Sequence, residues 1–309
     1  MIIFYHENML EYMKREKKQL SRIINYEISE CDSEIKISTF LKYKKGFSSR
    51  LITKLKTIEN GILLNGKFAR TIDLIKAGDI LTVTVPNGNS QIEPILSELD
   101  IIYEDDDILV INKSPYLAMH PSHNHQGDTL ANAVAAHLEK ESKACTFRAV
   151  GRLDKGTSGL VVCALNSLAA CKLSGKIKKE YYAIVKGNLE GTGTVDVPIY
   201  RPDPMKTLRA CSYELGEESA VTHWTVLENY SHATLVKLNL ETGRTHQIRV
   251  HMAYIGHPLA GDSFYGDFHT EFNHQLLHCG KCEFIHPVTN KKVAFTTNPP
   301  EEFDFFKNI

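Results

Sequence analysis

No apolar run in the 309-residue chain approaches the roughly eighteen residues that a membrane-spanning helix requires, so no membrane association is expected. The first twenty residues, MIIFYHENMLEYMKREKKQL, lack a small-residue cleavage site and carry acids within their short apolar stretch, which argues against a secretory signal. Cysteines are seven, odd in number and scattered, so they do not form a disulfide framework. They suit a reducing compartment, and the expected location is the cytoplasm. There is no G-x-G-x-x-G following a strand, which removes the usual sign of a dinucleotide cofactor. A carboxylate cluster fit to hold magnesium is also missing, which counts against a metal-dependent nuclease. Internal repeats and low-complexity stretches are absent.

What is present is an ordinary globular composition, 42% hydrophobic and 24% charged, with a net charge of −1. That charge is unevenly spread. Residues 35–90 hold ten Lys or Arg against three acids, Glu59, Asp73 and Asp79. A local excess of +7 suits a module that meets a polyanion, and is equally compatible with a solvated basic face. Residues 1–34 show no clear apolar period and read as a weakly ordered or helical extension. Over residues 38–58, Phe40, Leu41, Phe47, Leu51, Ile52 and Leu55 recur at helical spacing, broken at Gly46, with Ser48 as an N-cap. Two strand-like runs follow, with Asn65-Gly66 as a tight hairpin turn. The turn-rich stretch PNGNSQIEP, residues 86–94, marks a linker.

Residues 95–309 then read as a second, larger domain. IIYEDDDILVINK predicts a hairpin turning at Asp105-Asp106-Asp107, and DTLANAVAAHLEK a helix capped by Asp128. Helices are also expected near residues 167–178 and 244–256, among many strand-like segments. Many strands and few helices predict an α+β fold, with a mixed, largely antiparallel sheet beside a small N-terminal α/β domain.

Three stretches carry chemical groups. GRLDKGTSGLVVCAL, residues 151–165, puts Asp154 in a glycine-containing loop directly before a buried strand. Such a loop can hold a carboxylate rigidly at the mouth of a cleft, or can be a structural turn paired with a neighbouring Arg. In ETGRTHQIRVHMAYIGHPLAGDSFYG, residues 241–266, a helix is expected to carry His246 and Arg249 on one face. Arg249 is placed to pair with a carboxylate, and Arg244 and His246 to meet phosphates; a basic helix start is also a common surface feature. In KIKKEYYAIVKG, strand alternation sets Tyr181 and Ala183 on one face and Tyr182 and Ile184 on the other. A ring on a strand can stack on a nucleobase or simply pack in a core.

In this order, and together with YEDDDILVINK, LAMHPSHNHQGDTLANAV, VTHWTVLE and LHCGKCEFIHPVTN, these stretches resemble the RluA/RluD-type family of pseudouridine synthases over about residues 95–300. Residues 37–85 similarly resemble the ribosomal-protein-S-four-type RNA-binding module. The resemblance implies an isomerase that breaks the N-glycosidic bond of a uridine, turns the base and rejoins it through carbon five. It implies Asp154 as the catalytic aspartate, Tyr181 as the ring stacking on the target base, and Arg249 as the partner of the aspartate. It further implies that no metal or organic cofactor is needed. The expected partner is structured RNA, large-subunit rRNA or alternatively tRNA, and the expected state is a monomer. RNA contacts are expected from Arg152, Arg244, His246 and His120, and from Lys42, Lys45, Arg50 and Lys54 in the small domain. Two departures lie near the site: many members have His where this chain has Gly151, and Pro where it has Ser114. They bear on how RNA is contacted beside Asp154.

Two metal readings are set aside. Cys279 and Cys282 form a lone CxxC in a strand pattern, where positions three apart point to opposite faces, and no second pair exists. His120, His123 and His125 share a proline-containing loop without a nearby acid or cysteine. A non-catalytic RNA-binding protein that kept the fold is the rival class, and the co-occurrence of Asp154, Tyr181 and Arg249 speaks against it.

Overall fold

The computed structural model describes residues 21–86, 92–122, 127–141, 146–266 and 271–308. The small domain is a four-stranded antiparallel sheet in the order β1-β4-β2-β3, formed by β1 (Arg22–Glu27), β2 (Ile62–Leu64), β3 (Lys67–Phe68) and β4 (Ile80–Val85). Helical turns at Ile37–Thr39 and Phe40–Lys44 and the helix α1 (Ser49–Leu55) cover one face. The apolar positions read at helical spacing, Phe40, Leu41, Phe47, Leu51, Ile52 and Leu55, are all buried in its core. Gly46 ends the first helical stretch in the left-handed region (φ 71°), and Ser48 caps α1 by accepting the Leu51 N–H. Asn65 and Gly66 both have positive φ, as a two-residue turn between β2 and β3 demands.

The N-terminal part differs from expectation. Residues 22–27, read as extension, form a strand that pairs along β4 from Arg22↔Val85 to Glu27↔Ile80. Its apolar period is short, and its partner lies far along the chain, so the pairing leaves no local pattern. Residues 1–20 and most of the 86–94 linker, residues 87–91, lie outside the described residues.

The large domain is the α+β fold expected, with a mixed sheet of nine strands. Its strands are β5 (Asp100–Glu104), β6 (Ile108–Lys113), β7 (Ser158–Ala164), β8 (Lys178–Lys186), β9 (Thr192–Asp196), β12 (Val221–Asn229), β13 (Ala233–Leu240), β14 (Leu277–Ile285) and β15 (Lys292–Thr296). The order is β5-β6-β7-β14-β8-β13-β12-β9, with β15 added to β14. β7 and β14 run parallel and the other pairs antiparallel. A separate ribbon joins β10 (Ile199–Tyr200) to β11 (Ala210–Cys211). Every residue of β7 is buried, which explains why its sequence is a continuous apolar run and not an alternating one. Around the sheet lie α2 (Leu130–Lys140), α3 (Ser167–Leu173) and α4 (Gln247–Tyr254). Thr129, not Asp128, caps α2, its hydroxyl accepting the Asn132 N–H. α3 stops short of the expected residue 178 because the chain turns at Gly175, with φ 68°.

Cys279 and Cys282 also depart from expectation. The pairing of β14 with β8 shifts between Cys279 and Lys281, a bulge at Gly280 that reverses the alternation. Both thiols are therefore buried in one core, and burial pushes that of Cys282 up to about 12. Neither joins a group of three metal-ligating side chains among the described residues. His123 and His125 lie outside those residues.

The two domains meet at the β5–β6 turn. Arg22 donates two 3.0 Å hydrogen bonds to Asp107, which also accepts from Asn166 and is 2% exposed. Leu168 of α3 packs into the small-domain core, and Lys172 donates to the Pro287 carbonyl. The acidic run is thus a turn, with Asp105 accepting the Asp107 and Ile108 N–H groups, and a docking point as well. Among the described residues no helix is long and apolar enough to cross a membrane.

Candidate active site

Asp154 stands in the turn leading into β7, where the Thr157 N–H donates to its carbonyl at 3.1 Å. Its side chain, 20% exposed, faces a cleft whose lining also includes Arg152, Tyr181, Arg244, His246 and Arg249. The three residues singled out for chemistry are therefore brought together from three distant stretches: a loop, the strand β8 and the helix α4.

Arg249 reaches the cleft from the first turn of α4, and its Nη1 lies 3.5 Å from Asp154 Oδ2. Its planar two-point pairing is made with a different aspartate. Arg249 Nε and Nη2 donate to the two oxygens of Asp262, each at 2.7 Å, and both residues are almost wholly buried. The fork is satisfied by Asp262 because the chain after α4 folds back across the helix, leaving only the remaining nitrogen to face Asp154. Burial is the largest single influence and works against the Arg249 charge, but the Asp262 hydrogen bonds together with the charges of Asp262 and Asp154 outweigh it and hold its pKa above the ordinary value. The rings of Phe264 and Tyr265 lie 5.2 and 5.3 Å from the guanidinium, so cation–π contacts flank the same group.

His246 was expected on a face of α4. It instead precedes the helix as its N-cap residue, in the left-handed region at φ 58°. From there its Nδ1 meets the Tyr265 hydroxyl at 2.8 Å and its Nε2 stands 4.0 Å from Asp154 Oδ2. Desolvation lowers its pKa against the pull of Asp154, favouring neutral imidazole. Tyr181 keeps its ring in the cleft wall at 7% exposure, and its alternation with Tyr182 holds, since the two rings enter different cores. Burial drives its phenol well above the ordinary range, so the ring stays neutral.

The outer cations are arranged more loosely. Arg152 is exposed and donates to Thr245 Oγ1 at 2.6 Å, while Arg244 Nε donates to the Ser219 carbonyl. His120 is exposed and packs edge-on against Phe147, its pKa lowered by desolvation and then by Arg152. In the small domain Lys42, Arg50 and Lys54 are exposed. Lys45 is less free: its ammonium lies about 5 Å over the rings of Tyr26 and Phe40.

Asp262, Phe264 and Tyr265 were not singled out in the sequence, although GDSFYG stood at the end of a highlighted stretch. Lys113 was missed as well. It is 1% exposed, donates to the Ser114 and Leu117 carbonyls, and burial lowers its pKa to about 7 despite the opposing pull of Asp154. Its only signal was a lysine closing an apolar strand. At the two departures, Gly151 has φ 78°, a conformation glycine adopts freely, and the Ser114 hydroxyl accepts the Tyr116 N–H.

A family model described as RNA pseudouridylate synthase matches residues 107–254. The chain is 39% identical over 266 residues to YjbO of Bacillus subtilis, named an uncharacterized RNA pseudouridine synthase, covering 83% of this chain and 93% of that one. It is 35% identical over 312 residues to the ribosomal large subunit pseudouridine synthase D of Buchnera aphidicola, covering 93% and 96%. Among solved structures it is similar to human RNA pseudouridylate synthase domain containing 1, with TM-score 0.54 and 28% identity, covering 66% of this chain and 84% of that one.

Proposed function

The chain belongs to the RNA pseudouridylate synthase family and is an RNA pseudouridine synthase; from that premise we propose that Asp154 is its catalytic carboxylate and large-subunit rRNA its substrate. The observation that supports the first point is the convergence of Asp154, Tyr181 and Arg249 on one cleft.

The reaction breaks the bond from uracil N1 to ribose C1′ and makes a new bond from C5 to C1′; C5 gives up its proton and N1 takes one up. It is redox-neutral and needs a group that bears the developing positive charge at C1′. A carboxylate does this either by bonding to C1′ or by lending its charge, and both demand the same placement beside the sugar. What supports Asp154 in this role is that it is open to the cleft, with Arg249 and His246 as neighbours at 3.5 and 4.0 Å. Arg249, fixed by Asp262, holds one nitrogen towards the carboxylate without enclosing it. The target base must leave its stack, which favours loops and bulges, and Tyr181 supplies the surface that receives it. Stacking of this kind contributes about 1–3 kcal/mol per base. Arg152 and Arg244 line the cleft, where phosphates would pass, and His120 is near enough to Arg152 to feel its charge.

The rRNA assignment rests on relatives whose names specify the large ribosomal subunit, among them those of Buchnera aphidicola and Haemophilus influenzae. The small domain, with Lys42, Arg50 and Lys54 exposed, is read as an RNA-binding module of the S-four type that docks the enzyme on its folded target. Comparing pseudouridines in total RNA with and without this gene tests the substrate: a missing site in large-subunit rRNA supports it, and a missing site in tRNA alone refutes it. For the residue, Asp154→Asn should abolish tritium release from C5-labelled uridine RNA while leaving binding nearly intact.

A further inference from the structure

One side chain grips the loop that carries Asp154. Gln275, 5% exposed, lies two residues before β14, and its Nε2 donates to the Lys155 carbonyl at 3.0 Å and to Thr157 Oγ1 at 2.9 Å. A carbonyl oxygen only accepts, so the orientation of the amide follows from its partners. Between those two residues Gly156 has φ 88°, and a Cβ there would meet Gln275 Oε1 at 2.5 Å. The glycine is thus needed for its backbone conformation and for the closeness of the amide. On its other side the Gly156 N–H donates to the Pro115 carbonyl at 3.0 Å. Residues 154–157 are therefore held between the segment after β6 and the segment before β14.

The grip is braced from outside. Glu302, in the C-terminal 3-10 helix (Glu301–Asn308), accepts from the Tyr116 hydroxyl at 3.2 Å and lies 3.2 Å from His274 Nε2. Tyr116 follows Pro115 and His274 precedes Gln275, so one carboxylate, bonded to Tyr116, lies close to both sides of the clamp. The Tyr116 and His274 rings also meet edge to face at 5.3 Å.

We propose that Gln275 is a positioning residue for the reaction: by holding the backbone on either side of Gly156 it sets where the Asp154 carboxylate stands relative to the ribose. This rests on the reading of Asp154 as the catalytic group. Gln275 does not line the cleft, so it acts through the loop and not on the RNA.

The test compares wild type, Gln275→Met, Gln275→Glu and Asp154→Asn on a C5-tritiated RNA substrate. Single-turnover rates at saturating RNA, RNA dissociation constants and thermal midpoints are measured for each. Gln275→Met keeps the volume and removes both donors. Its rate should fall by up to roughly 10²-fold, the cost of misplacing a reacting group by about 1 Å, with RNA affinity within about twofold of wild type. Gln275→Glu can donate only when protonated, so its rate relative to wild type should rise as pH falls. The flanking titratable groups, Tyr116, Lys155, Asp154, His274 and Glu302, are common to both proteins, so the ratio reports residue 275. A wild-type rate for Gln275→Met beside an inactive Asp154→Asn overturns the positioning role alone. A loss of affinity as large as the loss of rate also overturns it. Activity in Asp154→Asn instead overturns the reading beneath it. Should Gln275→Met not fold, the Gln275→Glu ratio decides, and a ratio flat with pH counts against the proposal.

Discussion

At the domain junction Arg22 and Asp107 meet through two 3.0 Å hydrogen bonds, whereas in the cleft Arg249 and Asp154 approach only to 3.5 Å. The first carboxylate is 2% exposed and also accepts from Asn166, so its lone pairs are committed and it serves as a fastener. In the cleft that fastening role passes to Asp262, which takes both arms of the Arg249 fork. Asp154 is left beside a fixed positive charge but open to whatever enters. The same two residue types thus give a joint in one place and a poised carboxylate in the other, and the difference lies in how many of the oxygens are already occupied.

The largest effect that sharpens this contrast is expected from Asp262→Ala. It strands the Arg249 charge among buried groups, and removing one partner of a buried pair costs about 3–5 kcal/mol. Chemical denaturation should show that loss together with loss of turnover; a fully stable, active variant would break the assignment of Asp262 as the anchor. Arg249→Lys comes next. An ammonium cannot bond both oxygens of Asp262 and still face Asp154, so turnover should fall sharply and recover only in part relative to Arg249→Ala. Equal rates for the lysine variant and wild type would show that the fork geometry is irrelevant.

Asp107→Asn addresses the other side of the comparison. It weakens charge-assisted bonds to Arg22, each worth about 1.5–3 kcal/mol, at a joint remote from the cleft. The melting temperature should drop while the single-turnover rate on a short RNA hairpin stays near that of wild type. A matching loss of rate would mean that the joint also shapes the cleft.

Much of this architecture could be read from local pattern. Helical spacing marked Phe40, Leu41, Phe47, Leu51, Ile52 and Leu55, which all enter the small-domain core. Asp154, Tyr181 and Arg249 sit in distinctive stretches, and the structure brings them to one cleft. What escaped reading depends on distant partners or local irregularity. β1 exists because β4 pairs with it, and the shared face of Cys279 and Cys282 depends on a bulge that two-residue alternation cannot anticipate. Asp262 binds Arg249 across thirteen residues through a returning loop, with no periodicity to announce it.

The smallest expected effect concerns the exposed cations of the small domain. Each phosphate that is no longer neutralised should flatten the log–log salt dependence of RNA binding by roughly 0.7–0.9. Replacing Lys42, Arg50 and Lys54 by Ala should therefore lower the slope in steps without changing turnover on a short hairpin. An unchanged slope would make this basic face merely solvated. Lys45, already lying over Tyr26 and Phe40, should contribute less than its exposed neighbours.

The central claim is that Asp154 performs the chemistry because its oxygens are left open. Its most direct measurement is the single-turnover release of tritium from C5-labelled uridine RNA by Asp154→Asn, with RNA binding determined on the same preparation. Release should fall to background while the dissociation constant stays within about twofold of wild type, since the amide keeps the shape and removes the charge. Release at a rate comparable to wild type would contradict the account.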